Sequence, residues 1–326
     1  MSSTPGRVPA AQPAQELIYG CMGLGGSWSS EPHSSADVDE AAAAVDAALE
    51  VGITLFDHAD IYRGGKSEAV FGEVLAQMPG LRERIRLQTK CGIRLNEQGL
   101  ETHYDLSGDG ILTRVNESLA RLRTDYVDVL MLHRPDPLMD PAEVASAVRQ
   151  LMAEGKVRAL GVSNMSGSQI EVLQDRLGTP VVANQLEMSL LKRAWLESTV
   201  LVNHAEGTDY SFPHGTVEYC VRHGITLQAY GALAQGLYTG APAATPSAAE
   251  EATAGLVAQL AAEKKTTGES ILLGWLMRHP ARIAPVIGTA KPDRIRACAD
   301  AAAVAAGMTR AQWYRLWVTA RGSNIP

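Results

Sequence analysis

Short apolar runs alternate along this chain with segments whose apolar positions recur every three or four residues. The first pattern reads as buried strand, the second as amphipathic helix. Strands are expected over 17–25, 53–58, 85–91, 127–133, 157–163, 181–187, 225–231 and 283–288. Helices are expected over 37–51, 67–77, 111–122, 141–154, 167–176, 214–223, 247–265, 268–278 and 292–305. Gly52 and Gly155 end two of the helical runs, because glycine enters the left-handed region without a Cβ clash.

Each expected strand is followed by helix. Strict βα alternation implies parallel strands joined by right-handed crossovers. Eight such units within 326 residues point to an α/β protein, a closed (β/α)8 TIM barrel. The rival is an open doubly wound sheet, which normally shows GxGxxG between its first strand and first helix. Here that region reads GCMGLGGSWSS, and no helix starts at its last glycine. The domain plan is an arm over 1–16 and one barrel over 17–326.

Two connections exceed the ~2–6 residues of an ordinary βα turn. They run over 92–110 and 188–213, and both leave the C-terminal ends of strands. Barrel enzymes build their sites on that face, so both are expected to enclose substrate. They carry His103, Tyr104, Trp195, Tyr210 and Phe212 and show little regular pattern. Aromatic walls around a polar centre favour aromatic or other apolar aldehydes over sugars.

Composition narrows the functions. Hydrophobic content of 46% supports a folded core, and a net charge of −7 argues against a nucleic-acid surface. The basic stretch from Leu81 to Arg94 contains Glu83 and reads as a solvated helix end entering a strand. The four cysteines form no CxxC pair and fit neither a disulfide framework nor a zinc site. A reducing cytoplasm is the expected compartment. The first residues, MSSTPGRVPAAQPAQ, lack the apolar core of a signal peptide. No segment approaches the ~20 apolar residues of a membrane span.

The chemistry sits at strand ends. The segments ITLFDHADIY, IRLQTKCG, VDVLMLHRP and VRALGVSN supply Asp57 and Tyr62, Lys90, His133, and Ser163 with Asn164. Period-two alternation lets His133 point inward at a barrel mouth and places Arg86, Gln88 and Lys90 on one face. A lysine finishing a buried strand needs a partner, and Asp57 on the neighbouring strand can be it. A phenol of pKa ~10 exchanges protons poorly near neutrality, and a lysine cation beside it lowers that pKa. Tyr62 is then the proton donor to a carbonyl oxygen. Asp57 keeps Lys90 charged, and His133 holds the oxygen in place. A lone histidine or a lone Asp–Lys pair is more often structural. Their joint occurrence at three consecutive strand ends reverses that reading.

The runs FDHADIY, QTK, LMLHRPDP, GVSN, NQLEMS and PVIGT…R resemble the successive motifs of the aldo/keto reductase superfamily, from residue 17 onward. FDHADIY and MTRAQWYRLW resemble its bacterial YdhF-like oxidoreductase subgroup. The resemblance implies a catalytic set of Asp57, Tyr62, Lys90 and His133. It implies that Ser163, Asn164 and Gln185 hold a nicotinamide carboxamide and that Tyr230 stacks on the ring. Gly231, Ala232 and Leu233 would meet the pyrophosphate, and Gly288, Thr289 and Arg294 the adenosine 2′-phosphate. The implied cofactor is NADPH (NADP+) rather than NADH, and the partner a small-molecule carbonyl substrate. No membrane or nucleic-acid partner is expected, and the chain would be a monomer or weak homo-oligomer.

Gly288 and Ala297 with Cys298 stand where many relatives carry a lysine and an adenine-facing Glu and Asn, so NADPH preference rests on Thr289 and Arg294. Arg63 replaces a common glycine and brings a charge toward the substrate. Two other classes compete with a carbonyl reductase. One is a cofactor-sensing binding protein with little turnover. The other is a metal-dependent hydrolase using His58, Asp60, His133 and Asp136. The sequence offers too few ligands for the latter, and no metal is expected.

Overall fold

The computed structural model describes residues 16–97, 99–241 and 243–326. The arm expected over 1–16 lies outside these residues except for Glu16, which pairs with Arg86. The strands are β1 Ile18–Gly20, β2 Leu55–Asp57, β3 Arg86–Cys91, β4 Ile93–Glu97, β5 Leu100–Tyr104, β6 Val127–Leu132, β7 Val157–Ser163, β8 Val181–Glu187, β9 Thr226–Tyr230 and β10 Ala284–Ile287. Among the described residues, eight parallel strands close a barrel in the order β1-β10-β9-β8-β7-β6-β3-β2. The expected TIM barrel is the observed fold.

Local signals set the elements. Ser34 with Asp37, Ser166 with Gln169, Ser247 with Glu250 and Thr309 with Gln312 form capping boxes that start four helices. The barrel strands are buried on both faces, so they read as nearly continuous apolar runs. Most of the core lies between strands and helices. Inside the barrel, Ile18, Leu55, Ala284 and Val286 form a separate apolar cluster. A cavity of about 290 Å³ adjoins it, lined by Arg86, Val129, Ile225 and Gln228 among others. It lies at the N-terminal ends of strands, opposite the ends that carry Asp57, Lys90 and His133.

Several expectations are corrected. The first strand is shorter than 17–25 and gives way to a 3-10 turn, Cys21–Gly23. The helix expected over 292–305 is broken into Pro292–Arg296 and Ala301–Gly307. Hydroxyls of Thr267 and Ser270 donate to the Ala297 carbonyl at the break and draw it out of a continuous ladder. A further helix, Arg310–Arg321, closes the chain.

The long connections are also more ordered than expected. Residues 92–110 contain the antiparallel hairpin of β4 and β5. Asp136 ties its return to the barrel by accepting from Leu106 N at 2.9 Å. Residues 188–213 contain the helix Ala194–Val200. Trp195 is 1% exposed and packs edge-on against Trp275, so it belongs to the core and not to a substrate wall. Glu197 causes this placement, because it accepts from Trp317 and Arg321 of the last helix.

Candidate active site

Asp57 ends β2, and the chain then reverses tightly. Arg63, Gly64 and Gly65 all have positive φ there, which turns the chain immediately after Tyr62. Lys90 lies near the end of β3, and His133 directly follows β6. Lys90 Nζ donates to Asp57 Oδ2 at 2.6 Å, to Tyr62 OH at 3.0 Å and to the His58 carbonyl at 3.0 Å. All three ammonium protons therefore have acceptors, as a fully buried cation requires. The Tyr62 and His133 rings meet edge to face with centroids 6.0 Å apart.

Electrostatics assign protonation states. Burial works to lower the Lys90 pKa, but Asp57 and Tyr62 outweigh it and hold the ammonium above its ordinary value. Tyr62 departs from expectation. Burial raises its pKa more than Lys90 lowers it, so the net shift is upward. The phenol keeps its proton, with Lys90 working against the upward shift. Burial, then Lys90 and Arg134, press His133 well below the usual imidazole range, which leaves it neutral. Its Nδ1 is buried without a partner in the structure.

A glutamine network that no single strand reveals supports this centre. Gln88 Nε2 donates to Asp57 Oδ1 at 2.6 Å. Gln88 and Gln228 exchange amide hydrogen bonds across the barrel at 2.9 Å each. Gln185 Nε2 donates to the same Gln228 oxygen at 3.0 Å. The signal was present: IRLQTK and ITLQAY each place a glutamine inside an apolar run, two residues before Lys90 or Tyr230.

The candidate cofactor residues fall into two groups. Beside His133, Ser163 Oγ donates to the Gln185 carbonyl at 3.0 Å and Asn164 Nδ2 to Ser163 Oγ at 2.7 Å. Tyr230 OH donates to Asn164 Oδ1 at 3.0 Å. Asn164 has φ of 58°, which leaves its side chain bridging β7 and β9. At the other end, Gly288 and Thr289 follow β10. A Cβ on Gly288 would meet nothing within 4 Å, and the Thr289 carbonyl accepts from Tyr19 OH at 3.0 Å.

Arg294 lies in the short helix Pro292–Arg296 and is not free. Its Nη2 donates to Glu269 Oε1 at 2.9 Å and to Thr239 Oγ1 at 3.0 Å. From Tyr230 the chain runs through Gly231, Ala232 and Leu233 to Gly236, where an added Cβ would lie 3.5 Å from Arg294 Nη2. Open space at Gly288 and this continuous track suit an extended dinucleotide.

Comparisons with known proteins agree with the fold and the sequence motifs. The model of the Aldo/keto reductase family matches residues 16–313. A 6-dehydroglucose reductase of Agrobacterium fabrum is 35% identical, covering 95% of this chain and 95% of that protein. The oxidoreductase YdhF of Escherichia coli is 36% identical over 85% of this chain and 86% of its own length. A glycerol dehydrogenase of Gluconobacter oxydans shares the fold, with a TM-score of 0.75 at 23% identity, covering 98% of this chain and 97% of that one. The chain belongs to the aldo/keto reductase family and is an NAD(P)H-dependent oxidoreductase.

Proposed function

We propose that this protein reduces small aldehydes or ketones with NADPH, and that Tyr62 donates the proton. The single observation that carries the reading is the buried Lys90 ammonium bound at once to Asp57 and to the Tyr62 phenol. When bound, the dinucleotide supplies the hydride to the carbonyl carbon. Tyr62 gives its proton to the carbonyl oxygen, and Lys90 stabilises the phenolate that forms. Asp57, fixed by Gln88, holds Lys90 in place and charged. The neutral His133 donates a hydrogen bond to the substrate oxygen. Ser163, Asn164, Gln185 and Tyr230 would hold the nicotinamide end, Gly231 to Leu233 the pyrophosphate, and Gly288, Thr289 and Arg294 the 2′-phosphate.

The substrate class stays broad. Burial of Trp195 removes one aromatic wall behind an apolar preference. The 35%-identical relative, by its name, acts on an oxidised sugar, which favours small polar carbonyl compounds. The test is Tyr62→Phe, followed as NADPH absorbance over an aldehyde panel. Turnover is expected to fall by about 10²–10⁴-fold while NADPH binding persists, because only the proton donor is removed. Wild-type turnover by the variant would rule out Tyr62 as the donor.

A further inference from the structure

The mouth of the barrel carries two arginines beside the proposed catalytic rings. Arg63 directly follows Tyr62, and Arg134 directly follows His133. Both are half-buried, and neither forms an ion pair among the described residues. Arg134 lies beside the Tyr230 phenol and close enough to His133 to lower its pKa. Arg63 Nε donates to the Met22 carbonyl at 3.1 Å, and its guanidinium stands 5.3 Å from the Trp28 ring centre. Met22 and Trp28 are each 52% exposed and belong to the connection after β1.

Arg63 is also strained. Its φ of 54° and ψ of 31° are a left-handed conformation that glycine enters freely and a long side chain enters at a cost. Strain of this kind persists where the side chain does something the backbone does not need. A half-buried guanidinium without a carboxylate partner is a poor end state by itself and a good receptor for an incoming anion. The acidic groups nearby leave it unopposed. Asp57 is bound to Lys90, and both Asp136 oxygens accept backbone N–H groups. Glu187 faces Tyr230 from the exposed end of β8 and pairs with neither arginine.

We propose that Arg63 and Arg134 select carbonyl substrates that carry an anionic group, a carboxylate in the simplest case. This rests on the carbonyl-reductase reading and adds the substrate class. The reacting carbonyl sits between Tyr62 and His133, and the anion meets the rim, where Arg63 faces the connection after β1 and Arg134 stands beside Tyr230. The neutral walls contributed by Met22 and Trp28 cover the carbon skeleton between them.

The experiment compares 4-formylbenzoate with its methyl ester, with NADPH at low ionic strength, in the wild type, Arg63→Gly, Arg63→Lys and Arg134→Gln. The readout is the ratio of kcat/KM for acid over ester, so a loss common to both substrates cancels. The wild-type ratio is expected to be about tenfold or more, the scale of one charge-assisted pair. Arg63→Gly and Arg134→Gln should each lower the ratio about fivefold or more, and Arg63→Lys should keep most of it. A wild type that treats the two compounds alike, or prefers the ester, overturns the proposal and leaves the reductase reading standing. A ratio unchanged in both Arg63→Gly and Arg134→Gln overturns it too. Reduction of neither compound by a wild type that turns over other aldehydes overturns the proposal, and turnover of no aldehyde overturns both readings.

Discussion

Lys90 commits its three N–H groups to Asp57, Tyr62 and the His58 carbonyl while fully buried, and that arrangement orders the site around it. Such residues were legible in the sequence because a charge ending an apolar strand has few structural reasons to be there. Gln228 was not read, since its role depends on Gln88 and Gln185 from two other strands. The upward shift of the Tyr62 pKa is hidden from the sequence for a similar reason. A sequence shows the lysine that lowers it, whereas the burial that raises it more emerges only from the packed barrel. Arg294 was legible by position, but its engagement with Glu269 and Thr239 was not. If its remaining donors read the cofactor phosphate, Arg294→Ala should weaken NADPH binding more than NADH binding. The expected difference is roughly 1.5–3 kcal/mol, the size of a charged hydrogen bond. Fluorescence titration with both cofactors measures it, and an equal loss for the two would remove Arg294 from the phosphate site.

At the scale of elements, caps and apolar periods located most helices to within a few residues. The exceptions include Ala194–Val200 and Arg310–Arg321, the latter with Trp313, Leu316, Trp317 and Ala320 on its buried face. Those four positions keep the i, i+3, i+4, i+7 spacing of an amphipathic helix, but the partners that fix the helix are remote in sequence. Trp313 and Trp275 stack with ring centres 5.2 Å apart and exchange indole-to-carbonyl hydrogen bonds. Glu197, 0% exposed, accepts from Trp317 Nε1 at 2.8 Å and from Arg321 Nε at 3.1 Å. This carboxylate clamps the connection after β8 to the end of the chain. Glu197→Ala leaves the Trp317 indole N–H without its partner and removes one of the two carboxylates that pair with Arg321. Removing one member of a buried ion pair costs about 3–5 kcal/mol. Urea unfolding is expected to show a loss of that order. An unchanged midpoint would mean that Arg321 is held well enough by Glu206 alone.

At the scale of the whole molecule, the barrel concentrates polar chemistry at one end, and this burial carries a pH signature. Among the described residues no helix is long and apolar enough to cross a membrane. Asp60, three residues past the end of β2, is 6% exposed, and both its carboxylate oxygens lack partners in the structure. Burial, then the charge of Glu68, pushes its pKa up to about 7, although Arg121 and Arg94 oppose the shift. The folded protein therefore holds this proton more tightly than the unfolded chain, where Asp titrates near 3.9. As pH rises from about 4 to about 7, the unfolded state releases the proton first, and Asp60 progressively lowers native stability. Above about 7 the loss is complete and constant. The shift corresponds to roughly 4 kcal/mol as an order of magnitude. Asp60→Asn carries no such proton. The stability of the variant relative to the wild type should therefore rise across that window by up to this amount. Buried His58 and half-buried His279, with pKa values lowered by desolvation to about 3 and about 4, destabilise both proteins alike on the acid side. Their contribution cancels in the comparison. Urea unfolding of both proteins at several pH values between 4.5 and 8.5 measures the difference. Parallel stability curves would mean that Asp60 is ionised in the folded protein throughout that range.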